Sequence, residues 1–168
     1  GCKTDVLLLV NHETAYAEAK EKILGSDIVY VGGGNTRKMM KIWTECQVDK
    51  LLMEAYEKGI ILSGLSAGSI CWFQYGHSDS ESFETEGVWK YIRVDGLNLI
   101  NAIHCPHYNE DNRAPDFEGM VLKTDIVGIA LENNCAIEMN DDTYKIHKSC
   151  KDAKAYKIFH TNGILYKE

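Results

Sequence analysis

Residues 60–73 read IILSGLSAGSICWF. An apolar run of the kind that makes a buried strand stops at Gly64, Ser66 stands between small residues, and an apolar stretch resumes after Gly68. A strand running through Gly-x-Ser-x-Gly into a helix makes a turn too tight for most side chains, with the serine at its apex held outward. The same design occurs once before: DIVYV (27–31) runs into GGGNT (32–36), and a helix is predicted over 36–45. Apolar runs that pass through glycine turns into helices belong to α/β architecture with parallel strands in three layers and right-handed crossovers.

The rest of the chain fills in that frame. DVLLLV (5–10) has the continuous apolar pattern of a strand buried on both faces. Helices are predicted over 13–24 and 48–59, the second closed by Gly59. The acidic stretch 78–89 reads as a loop, 97–105 returns to the sheet, and 113–124 is a short helix. From 126 on, short β-prone runs are broken by ENN and NDD, and an Asn162-Gly163 pair sits between two more. The C-terminal third is therefore expected to add antiparallel strands to a mostly parallel sheet.

At 168 residues, without repeat or linker, the chain is expected to be one domain over 1–168. It opens on Gly1, which is not expected to be a native initiator. A net charge of -7 argues against a nucleic-acid partner or an anionic membrane surface, and no apolar run reaches the roughly 20 residues of a membrane span. The six cysteines are scattered, with no CxxC pair, as in a reduced cytoplasmic protein. HCPH (104–107) alternates its ligand types on opposite faces of an extended segment, so no metal site is expected there. No cofactor is expected either: GGGNT lacks the Gly-Lys-Ser/Thr of a phosphate loop and the last glycine of a dinucleotide fingerprint.

What the two glycine turns do suit is acyl chemistry. Ser66 would be the nucleophile and the N–H of Ala67, at the next helix start, an oxyanion donor. The VGGGNT turn, ending its strand on the same sheet edge, supplies the other half of an oxyanion hole. A serine hydroxyl needs a base, and there are six histidines: His12, His77, His104, His107, His147 and His160. His107, past a strand end and after Pro106, is better placed than His77. Asp79 and Glu81 are the carboxylates that could orient the imidazole.

VGGGNT, GLSAGS and CPHYNE in this order resemble the serine dipeptidases of the peptidase E (α-aspartyl dipeptidase) family, relatives of the cyanophycinases. The resemblance runs from about Asp5 to the C-terminal strands. It implies a glutamine-amidotransferase-like, flavodoxin-like α/β fold with serine in place of that fold's cysteine. It further implies Ser66 as nucleophile, His107 as base, Asp79 rather than Glu81 as orienting acid, and Gly33, Gly34 and Ala67 as oxyanion donors. Family members favour small peptides with an N-terminal aspartate, and Arg113 is the implied reader of that acidic side chain. They also carry a strand and helix ahead of the part matched by DVLLLV, which this sequence is expected to lack. A sheet edge so exposed invites pairing, with a homodimer as one outcome. Two other functions remain in view: a cyanophycinase-like hydrolase, and a non-catalytic relative acting as a binding module.

Overall fold

Helices and strands alternate through the first half of the chain, and strands dominate the second. A computed structural model describes residues 1–10, 14–86 and 89–168. It divides into two units, Gly1–Ser69 and Ile70–Glu168.

In the first unit, α1 (Tyr16–Leu24) precedes β1 (Ile28–Val31), and α2 (Thr36–Glu45) and α3 (Val48–Glu57) lead to β2 (Ile61–Gly64). Asn35 starts α2, its side chain accepting from the Lys38 N–H at 2.9 Å. Gly59, at φ 77°, ends α3 as expected: its N–H reaches Tyr56 O and that of Ile60 reaches Ala55 O, closing the helix in a Schellman turn. Ala19 and Ile23 of α1, Ile42 and Trp43 of α2, and Val48, Leu51, Leu52 and Ala55 of α3 are buried. β1 and β2 pair in parallel, with Ile28 opposite Ile61 and Val31 opposite Gly64.

Two expectations change here. Residues 5–10 form no strand, and Val6, Leu8 and Val10 are exposed. An apolar run becomes a strand only where another strand answers its backbone. Here the Val6 and Leu8 carbonyls are answered instead by the side chains of Lys22 and Thr14. Likewise β1 is not buried on both faces: Ile28 and Tyr30, with Ile61 beside them on β2, are exposed. Glu13, at the start of the predicted first helix, lies outside the described residues.

The second unit holds a six-stranded sheet in the order β10-β9-β6-β5-β3-β4. Its strands are β3 (Phe73–Ser78), β4 (Ile92–Asp95), β5 (Ile100–Cys105), β6 (Gly128–Leu131), β9 (Ala155–Thr161) and β10 (Ile164–Lys167). The central neighbours β3–β5 and β5–β6 are parallel, and β4, β9 and β10 add antiparallel. The fold is thus α/β with parallel strands at the middle of the mixed sheet and antiparallel C-terminal strands, as the apolar pattern predicts. A separate hairpin pairs β7 (Cys135–Asn140) with β8 (Thr143–Lys148). Asn162 and Gly163 turn β9 into β10 with positive φ at both, the conformation their identities foretell. Helix α5 (Arg113–Val121) sets Phe117 and Val121 into a core with Tyr75, Ile103, Cys105, Ala130 and Ile158.

Between Ser66 and β3 the helix is only one turn, α4 (Ala67–Ile70). The aromatic run after it is β-prone and becomes β3 at once. The loop predicted over 78–89 contains a 3-10 turn at Ser80–Phe83, and its Gly87 and Val88 lie outside the described residues. Among the described residues no helix is long and apolar enough to cross a membrane.

Candidate active site

The first unit assembles one set of residues at the carboxyl ends of β1 and β2. Because these strands are parallel neighbours, their turns leave the same edge side by side. The Leu65 N–H donates to Val31 O at 3.1 Å, tying one turn to the other. Ser66 follows with φ 56°, a left-handed backbone rarely adopted by a residue bearing a Cβ. Its surroundings demand glycine. A Cβ on Gly64 would stand 2.0 Å from Gly68 O, and one on Gly68 would stand 2.1 Å from Val31 O. Gly33 lies against the serine: a Cβ there would be 3.3 Å from Ser66 Cβ and 3.8 Å from Oγ. Gly34 is left-handed too, at φ 137°. Ala67 opens α4 directly after Ser66. Ser66, Gly33 and Ala67 therefore occupy one small region of the turn.

The second unit assembles another set at the carboxyl ends of β5 and β6, again parallel neighbours. The chain leaves β5 through Cys105 and Pro106 into His107, at φ 54°. The Tyr108 N–H donates to Leu131 O at 2.9 Å and holds this loop on the end of β6. His107 Nδ1 lies 2.5 Å from Asn133 Oδ1 and 3.7 Å from Glu110 Oε1. Asn133 is fixed in turn by its N–H, which donates to Asn109 Oδ1 at 2.9 Å.

Behind this loop a buried arginine meets partly exposed carboxylates. Arg113, only 1 % exposed, donates through Nη1 to Pro106 O at 2.8 Å. Its Nη2 lies 3.5 Å from Asp79 Oδ2, Nη1 lies 3.9 Å from Glu110 Oε2, and the guanidinium stands over the Tyr91 ring. Its Nε is buried without a hydrogen-bond partner among the described residues. Arg113 is therefore not a solvated residue at a helix start. Asp79 reaches His107 through Arg113 and the Pro106 carbonyl, and no direct Asp79–His107 hydrogen bond occurs among the described residues. Glu81 faces Lys90, 3.5 Å away.

The other histidines have other partners. His77 is fully buried, with Nε2 2.8 Å from Asp116 Oδ1, Nδ1 3.8 Å from Cys105 Sγ and its ring against Tyr91. Burial lowers its pKa to about 4 despite the Asp116 hydrogen bond. His104 is also fully buried, stacked on Phe73, with Nδ1 donating to Ile129 O at 3.0 Å, and burial again lowers its pKa to about 4. Burial drives the Cys105 thiol well up, so this cysteine stays protonated. His147 pairs with Glu138 and His160 with Thr124 O, while His12 lies outside the described residues. His107 thus differs from its fellows in the second unit: it sits partly exposed on a loop at the strand ends.

Sequence reasoning missed Asn133, Asn109 and Glu110. The signal available was topological: ENN directly follows the strand that neighbours the one leading into His107, and parallel neighbours release their loops on one edge.

Known proteins were compared with this chain. The family model described as Peptidase family S51 matches residues 1–147. A Bacillus subtilis protein named uncharacterized peptidase YgaJ is 33% identical over 139 residues, which is 81% of this chain and 57% of that protein. A Listeria monocytogenes protein, uncharacterized peptidase Lmo0363, is 29% identical over 55% of this chain and 45% of its own length. The chain thus spans about half the length of these relatives. A Listeria monocytogenes crystal structure described as "a Putative Peptidase E Protein" superposes with a TM-score of 0.63 at 22% identity, covering 82% of this chain and 67% of that one.

Proposed function

The chain belongs to peptidase family S51, and we propose that it carries the machinery of a serine-type dipeptidase that hydrolyses small peptides with an N-terminal aspartate. The observation that carries this is Ser66. A serine kept at φ 56° in a turn where Gly64 and Gly68 leave no room for side chains, with Gly33 close beside it, is built for presentation, not packing. Ser66 Oγ attacks the scissile carbonyl, and the oxyanion that forms is met by N–H groups of Ala67 and of Gly33 or Gly34. His107 takes the serine proton and delivers it to the leaving amine; water then releases the acyl group by the same steps. Support for pairing Ser66 with His107 is the motif set GLSAGS and CPHYNE, which carries both. Asp79 acts on His107 by way of Arg113, whose Nη1 holds the Pro106 carbonyl next to the base. The chemistry requires no cofactor, and the reaction is placed in the cytoplasm on the cysteine pattern.

Arg113 is assigned the substrate's aspartate carboxylate. What supports this is its spare donor: Nε is buried and unmatched among the described residues, so an arriving carboxylate would satisfy it. The test compares kcat/KM for Asp-Leu and Ala-Leu before and after Arg113→Lys, which keeps the charge and loses the planar fork. Truncating a buried charge contact costs ~2–5 kcal/mol, a factor of about 30 or more. Because Nη1 also holds the Pro106 carbonyl beside the base, both peptides lose rate, and the further loss of that size is expected on Asp-Leu; equal losses on both peptides would reject the assignment.

A further inference from the structure

The imidazole of His107 has a neighbour that neither the family motif nor the sequence singled out. Asn133 Oδ1, 2.5 Å from Nδ1, is an amide oxygen and can only accept, so Nδ1 carries the proton and Nε2 is left with the lone pair. Asn133 does not reach this position by chance of a free side chain: its own N–H is held by Asn109 Oδ1, two residues after His107, and Tyr108 N–H is bonded to Leu131 O. The two loops are thus laced together by three hydrogen bonds around the ring.

We propose that Asn133 is the positioning residue for His107, selecting the tautomer whose Nε2 is basic, with Asn109 holding Asn133 in place. A neutral amide does this job differently from a carboxylate. It fixes the ring and the tautomer without adding a negative charge that would favour the imidazolium. Glu110, at 3.7 Å, is the charged group facing the ring from the same loop, and Arg113 Nη1 lies 3.9 Å from that carboxylate and offsets it. This assignment rests on His107 being the catalytic base, and its test has a readout independent of hydrolysis.

The experiment is nitrogen-15 NMR of histidine-labelled chain at neutral pH, with His107→Gln to identify the resonance. The expected result is the Nδ1–H form in the wild type and its loss in Asn133→Ala, since free neutral imidazole favours the proton on Nε2. Asn133→Asp keeps the Nδ1–H form, because a carboxylate oxygen at that place also only accepts. In hydrolysis, Asn133→Ala lowers kcat at least about tenfold with KM unchanged; a wrong tautomer costs up to ~10⁴ in a serine protease. Asn133→Asp recovers rate, because it restores the tautomer. A ring protonated on Nε2 in the wild type, or a tautomer indifferent to Asn133→Ala, overturns the proposal. A wild type that cleaves no dipeptide counts instead against the substrate assignment, and the tautomer measurement still decides the role of Asn133.

Discussion

Acid should unfold this protein early, through two histidines that take no part in the proposed chemistry. His77 and His104 are both fully buried, and burial lowers each pKa from 6.5 to about 4. The sign follows from proton counting: between these values the unfolded chain binds protons that the folded chain refuses. Stability is therefore complete above the unfolded pKa near 6.5 and drains away as pH falls, until the folded groups titrate near 4. A depression of this size corresponds to about 3 kcal/mol per histidine when fully expressed, and to about 2 kcal/mol at pH 5. Together they should remove about 4 kcal/mol between pH 7.5 and pH 5, a large part of the 5–15 kcal/mol typical of a domain. Urea unfolding at the two pH values measures this directly, and most carboxylates have not begun to titrate in that window. His104→Asn retains a donor for Ile129 O without the titration, so its acid loss should be about half that of wild type. Equal stability at pH 7.5 and 5, or an acid loss unchanged by His104→Asn, would refute the reasoning.

Gly68→Ala places a Cβ 2.1 Å from Val31 O and 2.8 Å from Gly32 O, both backbone atoms that cannot swing aside. It should cost ~1–3 kcal/mol or more and displace Ser66, and an unchanged melting temperature would show that the turn has slack. Asp79→Asn removes the anion from a buried arginine and should destabilise on the order of 1–3 kcal/mol, whereas Glu81→Gln breaks only an outer pair with Lys90 and should change stability by well under about 1 kcal/mol. Equal melting temperatures for these two variants would contradict the distinction.

How much of this was legible beforehand differs from element to element. Glycine turns and caps spoke clearly because they state a backbone requirement: Gly59 and Asn162-Gly163 stand at positive φ, and Gly64 and Gly68 stand where a Cβ would meet backbone oxygens. Helix α2 was readable at its start because Asn35 is a strong cap. The apolar run 5–10 misled, since hydrophobicity says that a segment can be buried but not that a strand will pair with it. The length of α4 was hidden for a related reason: helix-compatible residues after Ser66 yield to the β-prone aromatics of β3. Of the candidate site, Ser66 and His107 were visible through their local turns. Asn133 was not, because it meets His107 only through the pairing of β5 with β6, which lies beyond any local pattern.

The central claim is that Ser66 is an activated nucleophile, and a fluorophosphonate tests it without any assumption about substrate. Folded chain should be phosphonylated once, at Ser66, as read by intact mass and peptide mapping. Ser66→Ala should take up none, and His107→Gln should react far more slowly. Failure of the folded protein to label, or labelling that persists in Ser66→Ala, would contradict the claim.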